Sequence, residues 1–82
     1  MKKTEIAVAC RRSHPIHYAL LTTIGEDGSL RYGVAVAYGE EEVMVPDVTA
    51  ELPRLLGLIS RLKQGCVMPS VLRDVVEDWL LR

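Results

Sequence analysis

The chain has 82 residues, of which 49% are apolar and 26% charged. That length supports one domain and no more, and those fractions exclude a disordered chain. A net charge of −1 excludes a general field attracting nucleic acid or anionic membrane, so either partner would need a local patch.

With no Phe and one Trp, the core must come from Leu, Val, Ile and Ala. Two cysteines, Cys10 and Cys66, are too few for a disulfide framework, and the sequence expects them as buried free thiols in a reducing compartment. Lys2-Lys3 before Ala7-Val8-Ala9-Cys10 faintly resembles a lipoprotein leader, but Glu5 interrupts an apolar run that is already too short. No segment approaches the ~18 apolar residues of a membrane span. The expected setting is therefore cytoplasmic, with no membrane partner.

Residues 4–10 read as a short strand with Ile6, Val8 and Cys10 on one face. Arg11-Arg12-Ser13-His14-Pro15 is a polar break. Residues 16–24 form a stronger strand, with Ile16, Tyr18, Leu20, Thr22 and Ile24 sharing a face rich in β-branched and aromatic residues. Gly25-Glu26-Asp27-Gly28 signals a hairpin. The returning strand, 29–38, carries Leu30, Tyr32, Val34, Val36 and Tyr38 on one side and Arg31, Gly33, Ala35 and Ala37 on the other. Residues 42–45 make a last strand, expected to stop at Pro46.

Helical periodicity follows. Leu52, Leu55, Leu56, Ile59 and Leu62 recur as one buried stripe, with Asp47 or Thr49 as N-cap, Pro53 in the first turn and Gly65 at the left-handed cap position. Gly57 weakens that helix by up to about 1 kcal/mol relative to Ala. After Cys66-Val67-Met68-Pro69, a second helix carries Val71, Leu72, Val75, Val76, Trp79 and Leu80 on its apolar side, and Asp78 and Arg82 are spaced for an ion pair. The fold class is α+β: an antiparallel β-meander of three or four strands, then two amphipathic helices packed on one face.

Val45-Pro46-Asp47-Val48-Thr49, the leucine-rich helix and the ending from Pro69 to Leu80 resemble a family of short bacterial proteins of unknown function. Shared features are the Tyr32-Gly33 step in the meander and the Asp74-Val75-Val76-Glu77-Asp78 signature. The resemblance covers roughly residues 16–82. It implies this fold and a bacterial origin, and no activity.

Several groups of residues could carry chemistry. Cys10, His14, His17 and Cys66 have the right donors for zinc, but Cys10-x3-His14-x2-His17 is no standard spacing and no Cys-x2-Cys pair exists. A thiolate activated by His14 or His17 would lack an orienting third residue and a Gly-rich oxyanion loop. No catalytic residue, metal ligand or cofactor is expected. Lys2, Lys3, Arg11, Arg12, His14, His17 and Arg31 could gather at one sheet end beside Tyr18 and Tyr32 as an RNA or DNA surface, but Glu40-Glu41-Glu42 opposes this. Asp74, Glu77 and Asp78 form an acidic helix face, read first as solvated.

The remaining expectation is self-association. Two helices can cover only one face of a meander. If they take the small side, where backbones approach closely, then Tyr18, Leu20, Tyr32, Val34, Val36 and Tyr38 face outward as a homo-oligomer interface. The expected function is a small non-enzymatic protein acting through protein–protein contacts, first with itself, with nucleic-acid binding as the alternative.

Overall fold

The computed structural model describes residues 1–81. Strands β1 (Lys2–Arg11), β2 (His14–Ile24), β3 (Leu30–Tyr38) and β4 (Glu41–Thr49) pair antiparallel in chain order, followed by α1 (Leu52–Gln64), a 3-10 turn (Pro69–Val71) and α2 (Leu72–Leu80). The arrangement is α+β. Its meander follows from the sequence: β-branched and aromatic residues alternate along β2 and β3, and short turns close each hairpin. Gly25–Ser29 closes the middle hairpin, with Gly28 at φ +84° and the Asp27 carboxylate accepting hydrogen bonds from the Ser29 amide and hydroxyl.

The last strand runs past Pro46. Tyr32 pairs with Thr49 and Val34 with Val45, so three β4 residues bulge opposite Gly33. Proline is tolerated because β4 is an edge strand whose outer amides have no partner to lose. Asp47, one of the two expected helix caps, instead sits in this bulge at φ +58°. Thr49 lies just outside the helix, its hydroxyl accepting from the Glu51 amide at 3.1 Å, and Glu51 is the N-cap residue.

The helices lie on the face carrying the large side chains. Leu55, Leu58, Ile59 and Leu62 of α1 and Leu72 and Val76 of α2 form one buried cluster with Ile16, Tyr18, Val34 and Val36. This corrects the outward placement expected for Tyr18, Val34 and Val36. Tyr18, Val34 and Val36 have no exposed surface, and Leu20, Tyr32 and Tyr38 are partly buried against the same cluster. The reason is energetic. Each large apolar side chain that is fully buried contributes about 1.5–3 kcal/mol, and an alanine face offers far less surface to remove from water. Interdigitation outweighed close approach.

The helix stripe is rotated from its expected setting. Leu58 is buried while Leu56 is 38% exposed; Val71, in the 3-10 turn, and Leu80 of α2 are exposed, while Val75 and Trp79 are half-buried. The Asp78–Arg82 pair lies outside the described residues.

The small-residue face is not bare either. Ala19, Leu21 and Ala35 are buried there without a helix above them. Two features cover them. Lys3 on one edge strand reaches Glu42 on the opposite edge strand, Nζ to Oε2 2.7 Å, crossing diagonally above the Ala19–Ala35 pair. The right-handed twist of a sheet brings one pair of diagonal corners together over one face, and small central residues allow it. The lysine stem then shields apolar surface beneath its charge. Beside it, the β4 bulge lies over Gly33: a Cβ there would sit 2.3 Å from the Val45 carbonyl oxygen and 2.5 Å from the Pro46 Cα. Only glycine permits that approach.

In β1 the register shifts between Glu5 and Ala7. Ala7 and Ala9 therefore pack on the helix-side core, while Val8 and Cys10 turn to the other face and are exposed. Val8 and Cys10 share one face as expected, and the one extra residue sets which face that is.

Candidate functional site

Two connections meet at one end of the sheet. The first is the β1–β2 turn. Arg11 pairs with His14, leaving a two-residue loop in which Arg12 has φ +52° and Ser13 φ +67°. Two positive φ values define the hairpin geometry that normally selects Asn-Gly. Placing an arginine and a serine there costs of order 1 kcal/mol per residue. The second connection follows α1. Val67 N–H donates to the Leu62 carbonyl and Cys66 N–H to the Lys63 carbonyl, which is the paired C-terminal closure of a helix. The left-handed residue in this closure is Cys66 at φ +48°, whereas Gly65, expected there, has φ −88°.

Between these connections runs an open cleft of about 530 Å³, lined on one side by Arg11, Arg12 and Tyr38 and on the other by Cys66, Val67, Met68, Ser70 and Val71, with Gly65 at its rim. Tyr18 fixes its floor from the core, donating its hydroxyl to the Val67 carbonyl at 3.0 Å. Burial pushes that hydroxyl up to about 12, and the neighbouring Cys66 adds to the rise. Tyr38 reaches the Arg11 carbonyl at 3.4 Å and meets the His14 ring edge-on, centroids 6.2 Å apart. Among the described residues the ion pairs are Lys3–Glu42, His17–Glu5, Arg31–Asp47 and Arg54–Glu51, so the guanidiniums of Arg11 and Arg12 have no acidic partner there. The cleft thus combines two uncompensated cations, a serine hydroxyl and an aliphatic wall.

The other sequence candidates separate. His17 and Cys10 belong to the sheet face away from the helices, and His17 contacts Glu5. His14 follows the strand parity of Ile16 and Tyr18, and Cys66 packs against the helix-side core. The four residues weighed as zinc donors are divided between the two faces. Cys10 is exposed and Cys66 half-buried, so neither is the fully buried thiol expected. A shallow recess of about 500 Å³ touches both His14 and His17, but its other walls are Pro15, Tyr38 and Gly39, which add no carboxylate, thiol or further imidazole. The basic set also divides. Arg11, Arg12 and His14 mark one end of the sheet, while Lys2, Lys3 and Arg31 lie toward the other, where Lys3 and Arg31 already hold Glu42 and Asp47. Tyr18 is buried and offers no stacking face. The acidic side chains Asp74, Glu77 and Asp78 are all exposed on α2.

Sequence reasoning missed the cleft because its far wall comes from a connection read only as a tight link. A signal was present nonetheless: a two-residue hairpin loop written Arg-Ser instead of Asn-Gly.

The fold and site define a small α+β protein: a four-stranded meander backed on one face by two helices, with a cationic cleft at the sheet end. The chain belongs to a family of unknown function, DUF6514, whose model matches residues 1–82. No curated protein and no solved structure matches it.

Proposed function

We propose that this chain is a small non-enzymatic protein that works through protein–protein contacts, taking an acidic, partly apolar segment of a partner into the cleft at the sheet end. The observation that carries this reading is the pair Arg11 and Arg12, without acidic partners among the described residues, facing the aliphatic wall of Val67, Met68 and Val71. A peptide with alternating acidic and aliphatic side chains matches both halves. The lining supports a binding role over a catalytic one, because it contains no carboxylate and no imidazole of its own, and the His14 ring behind Tyr38 makes an edge-on ring contact rather than a hydrogen bond to a lining thiol or hydroxyl. Two free thiols fit a reducing, cytoplasmic setting. Among the described residues no helix is long and apolar enough to cross a membrane.

The test is fluorescence anisotropy with a labelled synthetic peptide of alternating glutamate and leucine. Saturable binding that weakens with salt is expected, and at least tenfold loss in a chain carrying Arg11→Glu and Arg12→Glu. Equal binding by that variant would overturn the reading.

A second reading, self-association, moves from the sheet face to the sheet edge. β1 is an edge strand of ten residues that exposes Ile6 (45%) and Val8 (43%), whereas β4 is interrupted by Pro46 and its bulge. Unpaired, partly apolar edges recruit a second strand. Sedimentation at hundreds of micromolar should show a dimer that Val8→Lys dissociates without unfolding; a monomeric unmodified protein would defeat this reading.

A further inference from the structure

Gly57 occupies the middle of α1 at an unfavourable position for glycine, and packing does not explain it. A Cβ built there meets no atom within 4 Å. Alanine would fit, and would favour the helix. The glycine therefore keeps a space open. That space is a notch of about 360 Å³ lined by Arg54, Gly57, Arg61 and Trp79. Arg54 and Arg61 stand three residues before and four after Gly57, so all three share one helix face. Trp79 of α2 forms the remaining wall. The Arg54 guanidinium carbon lies 5.1 Å from the Trp79 ring centroid, a cation–π contact that orients this exposed arginine over the ring.

The charges around the notch favour an anion. Arg54 also meets Glu51, but through a single 3.4 Å contact between exposed groups, which leaves most of its donors available. Arg61 forms none of the ion pairs found among the described residues. Asp78 borders the adjoining groove with Arg61 and Trp79, and it is the acidic group that counts against the site. Two guanidiniums from the same helix line the notch. A carboxylate is filled by one bidentate arginine, whereas a tetrahedral phosphate presents oxygens to both.

We propose that this notch binds the phosphate group of a small phosphate monoester, held between Arg54 and Arg61 against Trp79. The site is separate from the sheet-end cleft and stands or falls independently of it. Gly57 sacrifices helix stability to keep it open, as binding sites often do.

Trp79 is the chain's single tryptophan, so intrinsic fluorescence reports on the notch. The probes are glycerol 2-phosphate, inorganic phosphate and acetate at constant ionic strength. Glycerol 2-phosphate should give a saturable change below about 10 mM, inorganic phosphate a weaker one and acetate none. Gly57→Ala should melt a few degrees higher and bind at least tenfold more weakly. Arg61→Gln should keep its fold and lose binding to the same extent. Glycerol 2-phosphate failing to saturate, acetate acting equally, inorganic phosphate binding where the ester does not, or Gly57→Ala binding as tightly as the unmodified chain would each overturn the proposal.

Discussion

Gly33→Ala adds one methyl group directly beneath the β4 bulge. The new Cβ would lie 2.3 Å from the Val45 carbonyl oxygen and 2.5 Å from the Pro46 Cα. Both are backbone atoms and cannot rotate aside. Ordinary contact begins near 3.4 Å, so the bulge must retreat by about 1 Å, uncovering Leu21 or breaking the Tyr32–Thr49 pairing. Overpacking of this kind costs about 1–3 kcal/mol, and reduced unfolded-state freedom returns about 0.4–1 kcal/mol. The net loss is roughly 1–2 kcal/mol, from a total of roughly 4–12 kcal/mol for a chain this long. At about 4–8 °C per kcal/mol, the midpoint should fall by roughly 5–15 °C. Gly57→Ala is the matched control. The same methyl group enters open space on a helix and should raise stability by up to about 1 kcal/mol. Circular dichroism melts of both variants beside the unmodified protein give the answer. Gly33→Ala melting at or above the unmodified protein would refute the bulge packing, and Gly57→Ala melting lower would refute the open notch.

Val36→Lys, which should have produced a folded monomer had that face been an interface, should instead prevent cooperative folding, because Val36 has no exposed surface and an unpaired ammonium cannot be buried there; a sharp melt would contradict the helix placement. Tyr18 confers an alkaline dependence. Its neutral hydroxyl is favoured by burial, so the contribution is complete below its ordinary value of 10.0 and is lost as pH rises toward about 12. Urea denaturation between pH 9 and pH 12 should show about 2–3 kcal/mol lost in the unmodified chain beyond that lost in Tyr18→Phe; parallel curves would show that the Tyr18 hydroxyl is not buried from water. Chelator should leave the melt unchanged, since Cys10 and His17 lie on the opposite sheet face from His14 and Cys66. One tightly held zinc per chain by elemental analysis would contradict that geometry.

The strands and helices were legible because their periodicities are strong, above all in residues 16–24 and 29–38. The side on which the helices sit was not. Period-two alternation separates two faces but does not say which is covered, and here the argument from close approach yielded to the larger burial offered by Tyr18, Val34 and Val36. What covers the small face was equally hidden, since the Lys3–Glu42 contact joins residues 39 apart in sequence and depends on the twist of the whole sheet. In β1, the single extra residue at the bulge decides that Ala7 and Ala9, rather than Val8 and Cys10, face the helices, and alternation alone does not reveal it. Leu56 and Leu58 exchanged roles because a slight turn of the helix keeps Leu55, Ile59 and Leu62 inside and changes only which leucine lies at the edge of the stripe. The cleft needed the topology: the sequence separates Arg12 from Cys66, and only the closed meander brings their two connections together.

The claim that the sheet-end cleft is the working surface is tested most directly by amide chemical-shift mapping of the isotopically labelled chain titrated with the glutamate–leucine peptide. Shifts are expected to concentrate on Arg11, Arg12, Tyr38 and residues 65–71 and to vanish in the chain carrying Arg11→Glu and Arg12→Glu. Shifts centred on another surface, or persisting unchanged in that variant, would contradict it.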